Sequence, residues 1–290
     1  MPGTRLSDTL VAHIDAVESL VVAGIPAPPA WEKLRQYFTT NYQQQLTMRA
    51  ADRLCEAVLA STADSDQLSQ LHAWALAEQT TPQDQAVIDN RVGAAVERRL
   101  LEIYAKAAPG NYKKVGARFD AYAADFAKAV ATVDPETDPA ELVSAAEERR
   151  QAWLDGQRLA HQLSEFQPVL VCAAMLAGVN ARTDHAGGVL GLVADPGQAH
   201  RRKVWSSWAN GVGDGRWNAL VRLGVRIRAA DLDTYTPYRP PRPIEVRQEQ
   251  QPGAPRGIVR RVEVDPEDAD YRPPQIDPFK DETKSRMVAQ

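Results

Sequence analysis

FQPVLVCAAMLAGV, residues 166–179, carries no charged side chain and lies in the most apolar neighbourhood of the chain. An apolar character that runs all round a helix marks a segment enclosed by protein, so we read it as the central helix of a core. The run is shorter than the about 20 residues that a bilayer-crossing helix needs. Pro168 suits the first turn of a helix, so its position predicts a fresh helix here rather than the continuation of the one before. The flanks are written in two styles. Helical periodicity precedes the stretch, and a Gly-, Arg- and Trp-rich segment followed by a proline-rich tail comes after it.

The clearest helix on the N-terminal side places Tyr112, Val115, Phe119, Tyr122, Phe126, Ala129 and Val133 at alternating spacings of three and four. Such a seam packs against another helix. Pro109-Gly110-Asn111 separates it from a helix opened by Thr81-Pro82-Gln83-Asp84 and running to about Ala107, and Asp134-Pro135 closes it. Asp138-Pro139-Ala140-Glu141 repeats the arrangement of cap, proline and acid, and predicts a helix through about Leu163. Nearer the start, Leu6, Leu10, Ile14, Val17 and Val21 share one helical face, ended by Gly24 and the prolines after it. A second helix begins around Ala30 with Trp31, Leu34, Tyr37 and Phe38. Thr39-Thr40-Asn41 interrupts the pattern before Leu46 to Leu59 resumes it, and a turn at 63–66 opens a further helix carrying Leu68, Leu71, Trp74 and Leu76.

C-terminal to Gly178, Val189 to Val193 fits a strand or a helical turn. Trp217, Leu220, Val221 and Leu223 fit a helix, while Val225 and Ile227 alternate with arginines as an edge strand does. From Pro237 to the end fall half of the 20 prolines, with little apolar periodicity. Such a segment alone in water is extended or disordered, and suits a strap laid on a partner. The fold class read from these signals is mainly α. It comprises a helical bundle over 1–179, a smaller irregular or α+β module over 180–236 and an extended arm over 237–290.

The net charge of −4 at neutral pH excludes a wholesale nucleic-acid binder, so any such contact is local. His200, Arg201, Arg202, Lys203, Trp205, Trp208, Arg216, Trp217, Arg222, Arg226 and Arg228 form its one candidate. Guanidinium forks suit phosphates and indoles stack on bases, yet both residue types are equally those of protein interfaces and cores. No catalytic or metal-binding set emerges. The five histidines are scattered singly, Gly211 to Gly215 lacks the lysine and hydroxyl of a phosphate loop, and Asp184, His185, His161, Ser164 and His200 match no nucleophile motif. Cys55 and Cys172 read as free thiols in helices, and no leader or membrane span is legible, which places the chain in a reducing, soluble compartment. No cofactor is expected.

A helical body, a basic Gly-rich module and a long proline-rich arm together resemble, in layout, the minor structural proteins of tailed bacteriophages of high-GC hosts. Arg outnumbers Lys 26 to 8, in keeping with such a host. The resemblance implies a non-enzymatic virion component, near the portal or the head-tail connection, that docks on other protein subunits through its arm. The alternatives are a nucleic-acid-associated protein using 200–228 and a maturation protease or other hydrolase.

Overall fold

The computed structural model describes residues 7–43, 50–60, 63–77, 82–179, 186–211, 213–250 and 259–267. Among them it is mainly α, with eleven α-helices and two small two-stranded sheets. Helix α1 spans Asp8–Val22 and is capped by Ser7, whose hydroxyl accepts the Leu10 amide. Helix α2 covers Pro29–Tyr37 and runs into a π-helical turn, Phe38–Gln43, where the β-branched pair Thr39-Thr40 breaks the regular pattern. Helices α3 (Ala50–Ala60) and α4 (Ser65–Ala77) form a hairpin, and α5 runs from Pro82 to Ala105. The expected features at Leu6, Leu46 and Thr81 lie outside the described residues.

The centre of the fold is the pair α6 (Ala108–Thr132) and α8 (Glu147–Leu176). The seam read from α6 is buried at Tyr112, Val115, Phe119, Phe126 and Ala129, with Tyr122 half-buried against the Phe166 ring at 5.5 Å. It meets Leu159, Leu163, Leu170, Val171 and Ala174 of α8. Each fully buried Leu, Val or Phe here contributes about 1.5–3 kcal/mol relative to exposure.

Two boundaries differ from expectation. Asp138 does cap a helix, accepting from the Ala140 amide, but this helix, α7, is the single turn Pro139–Leu142, and α8 starts after a turn at Glu147. The second difference concerns Pro168, which opens no new helix and lies inside α8. A proline there removes one backbone donor and costs about 3 kcal/mol or more. Pro168 is on the exposed side of the helix, and the burial of Leu163, Leu170 and Val171 on either side outweighs the loss. Nor is the opening stretch enclosed all round, since Met175 is exposed.

The C-terminal segments join the same core. Helices α9 (Ala186–Val193), α10 (Arg201–Ala209) and α11 (Gly215–Arg222) supply Leu190, Leu192, Val204, Trp208, Trp217 and Leu220 to it. Of the two readings open for Val189 to Val193, the helix is the one adopted. Strand β1 (Ala194–Asp195) pairs antiparallel with β2 (Arg226–Ile227), so the helix and the edge strand left open for 216–228 both occur, one after the other. A second sheet is the ribbon of β3 (Glu245–Gln250) and β4 (Val259–Val264), paired in register from Glu245 opposite Val264 to Gln250 opposite Val259.

A separate cluster holds α1, α2 and α5 together through Leu10, Val17, Trp31, Leu100 and Tyr104. At its centre Trp31 Nε1 donates to His13 Nε2 at 3.2 Å, while Tyr104 stands edge-on to the same imidazole at 5.5 Å. Burial lowers the His13 pKa, outweighing the attraction of Glu97 for the cation. The folded state therefore keeps His13 neutral where the unfolded chain already binds a proton. Stability should be level above about pH 6.5, fall as the pH drops through that value toward the folded pKa, and level off below it. Urea midpoints between pH 7.5 and 5 should show this fall in the native protein, and His13→Gln, which keeps an acceptor for Trp31, should flatten it.

Candidate functional site

The basic and aromatic segment resolves into parts with different neighbours. Trp217 is fully buried, donating to Ser164 Oγ at 2.9 Å and meeting the Phe119 and Trp208 rings edge-on at 6.1 and 5.4 Å. Trp208 is buried beside it, with the Arg216 guanidinium 5.0 Å above its ring. Trp205 stacks on Tyr238 with planes 14° apart. The indoles are thus committed to packing, two in the core and one under the arm.

Four of the six arginines are engaged by acids. Arg222 Nε donates to Asp134 at 2.9 Å and its Nη1 to Glu136 at 2.6 Å, tying α11 to the loop after α6. Desolvation works to raise the Asp134 pKa, but hydrogen bonds from the Glu136 amide, Arg222 and Asn218 outweigh it and lower the value. Arg228 pairs with Asp195 at 3.0 Å across the β1–β2 sheet. Arg201 and Arg202, at the start of α10, meet Glu267 and Asp265 of the arm. Lys203 and Arg226 are exposed. The structure therefore brings Arg201, Arg202 and Trp205 together against the arm, places Arg228 with Arg201 around one cleft, and keeps Arg222 and Arg226 in other surroundings.

The chain from β2 into the arm is laid on the body. From β2 onward the Arg228 and Ala230 amides donate to the Val193 and Leu192 carbonyls at 2.9 and 2.8 Å. Tyr112 Oη donates to the Ala230 carbonyl at 2.6 Å, and the Ala229 amide to Asp120 Oδ1 at 2.6 Å. Desolvation raises the Tyr112 and Asp120 pKa values, so the phenol stays a donor. Farther along, the Tyr238 amide donates to the Gly187 carbonyl at 2.8 Å and Tyr235 Oη to the Gly188 carbonyl at 3.0 Å.

This approach depends on α9 having no side chains in the way. A Cβ on Gly187 would lie 2.2 Å from the Tyr238 carbonyl oxygen, and one on Gly191 2.7 Å from that of Thr236. Beneath this strap opens a cleft of about 550 Å³ lined by residues including Asp195, Arg201, Arg228 and Asp231.

The strap is followed by a latch. Asp265, whose side chain is fully buried, receives Arg202 through both oxygens, with Arg202 Nη2 to Oδ1 at 2.8 Å, and accepts the Glu267 amide at 3.0 Å. Glu267 Oε1 accepts from Arg201 Nη1 at 3.3 Å and from the Arg242 amide at 3.2 Å, while Arg202 Nη2 also reaches the Arg242 carbonyl at 2.6 Å. The Arg202 guanidinium holds the Asp265 carboxyl down to about 2, so it is charged at any ordinary pH.

The chain matches no family model, no curated protein and no solved structure.

Between strap and latch the β3–β4 ribbon stands away, making no substantial contact with any other element among the described residues. Val246 is exposed on it. The α3–α4 hairpin likewise makes no substantial contact with other elements among the described residues and exposes Val58, Leu59, Trp74 and Leu76, while Ala50 at its start is buried.

No helix among the described residues is long and apolar enough to cross a membrane, and no cluster of three or more His, Cys, Asp or Glu there could hold a metal ion. Ser164 is occupied by Trp217, and the exposed His161 sits between Asp214 and Glu165. Asp184 and His185 lie outside the described residues, as do Val212 and the arm from 268 onward. The sequence did not single out Gly187, Gly191, Asp265 or Glu267 as partners. Two glycines spaced four apart in an apolar run, and an acidic turn around Pro266, are the signals that could have found them.

Proposed function

We propose that the protein is a non-enzymatic assembly protein, a virion component of the tailed-phage kind that its layout resembles, which joins neighbouring subunits through its C-terminal arm. The observation that carries this reading is the β3–β4 ribbon. Two strands alone are marginal in water, yet this pair, flanked by the strap and the latch, makes no substantial contact with another element among the described residues. Such a ribbon, whose two outer edges are unpaired among the described residues, can add to a neighbour's sheet or lie in its groove. The exposed apolar side chains of the α3–α4 hairpin support the same reading, since several large apolar groups left exposed on one hairpin suit contact with another protein.

The test keeps the strap and the latch and removes only the ribbon, replacing residues 245–264 with a short Gly-Ser turn. The variant should retain the helical circular dichroism of the full chain and be missing from purified particles that incorporate the unaltered protein. Incorporation at the unaltered level would refute the arm as the docking element.

A further inference from the structure

We propose that the first turn of α10, with Arg201 and Arg202, is a receptor for the acidic turn Asp265-Pro266-Glu267, and that it accepts this turn from a second copy of the chain as well as from its own. The inference rests on the arm-docking reading and names the partner and the site.

The receptor is built from two places in the sequence. Arg202 forks onto Asp265, Arg201 reaches Glu267, and the backbone of Arg242 in the strap supplies a donor to Glu267 and an acceptor to Arg202. The occupant is equally specific. Its two carboxylates flank a proline, and the turn is fixed by the Glu267 amide on Asp265 Oδ1. A fully buried carboxylate on a paired guanidinium is a fitted contact rather than a loose surface pair.

Every copy carries both halves, and the contacts made in trans are those made in cis. Exchange of an identical element therefore costs little beyond the loss of tethering. The tether favours the closed form through an effective concentration of about 1 mM. A latch closed about ten to one or better then corresponds to a trans Kd of about 100 µM or tighter. Free copies at micromolar concentration stay latched on themselves, and copies crowded in an assembly can exchange.

The probe is a peptide of residues 245–267, with a scrambled peptide of the same composition beside it. The full-length Asp265→Arg variant cannot close its own latch but keeps the receptor, and should bind the peptide with a Kd of about 100 µM or tighter. The unaltered chain should bind it about tenfold more weakly or worse. The double variant Arg202→Asp with Asp265→Arg can pair again in cis with reversed charge, and should not bind. Unchanged helical circular dichroism in all three shows that the body is folded. The proposal is overturned by an Asp265→Arg chain that takes up no peptide at 1 mM, by equal binding of the double variant, or by equal binding of the scrambled peptide. Failure here with loss of incorporation on ribbon removal would leave the arm as a docking element and remove only this receptor.

Discussion

Trp217→Ala should be the most destabilising single substitution in the C-terminal half, by about 3–5 kcal/mol in urea unfolding. Trp217 is completely buried between Phe119 of α6 and Trp208 of α10, and its indole is anchored on Ser164 of α8. Truncation opens a cavity where three helices meet and also leaves the Ser164 hydroxyl without this donor. The neighbouring aromatics cannot close the gap without moving α10, which carries the latch residues. Trp217→Phe keeps most of the volume and removes the hydrogen bond, so its cost should be smaller, about 1–2 kcal/mol. Had this indole been a base-stacking platform, truncation would lower affinity for single-stranded nucleic acid and leave the unfolding midpoint almost unchanged. An unaltered midpoint would contradict the burial described here.

Gly187→Ala should release the strap. In an open helix, replacing Gly by Ala stabilises by about 1 kcal/mol. The opposite sign is expected at Gly187, because its new Cβ would fall 2.2 Å from the Tyr238 carbonyl oxygen, and backbone must move to make room. The Tyr238 amide would then leave the Gly187 carbonyl, and Trp205 would lose its stacked Tyr238 ring. A net loss of about 1–3 kcal/mol is the usual cost of inserting a methyl group into a packed contact. Faster amide exchange at Tyr238 and faster chymotryptic cleavage after Tyr238 are the expected readouts. Gly110→Ala is the matched control, since nothing lies within 4 Å of a Cβ there. Equal behaviour of the two variants would show that the strap does not lean on α9.

The two cases differ in what could be read before the fold was known. The seam of α6 was legible because a periodicity of three and four is a local property, and burial followed it at Val115, Phe119 and Phe126. The caps at Ser7 and Asp138 are local too. Pro168 was misjudged because a local rule met a tertiary one, with buried leucines on both sides holding α8 continuous across it. The Arg and Trp composition of 200–228 was visible as unusual, but not its partition. Whether an arginine faces an acid depends on residues as distant as Asp134, Asp195 and Asp265.

Local chemistry by itself determined that this chain is helical, that α6 needs a facing helix, and that residues after Pro237 cannot build a core of their own. Tertiary structure alone decided where the arm goes. A strap and a latch are made by backbone groups and charges that meet across the fold, at Gly187, Tyr112, Arg202 and Asp265. None of these contacts leaves a period or a cap in the sequence, because each joins residues tens of positions apart, and the chain pattern records only what neighbours along it require.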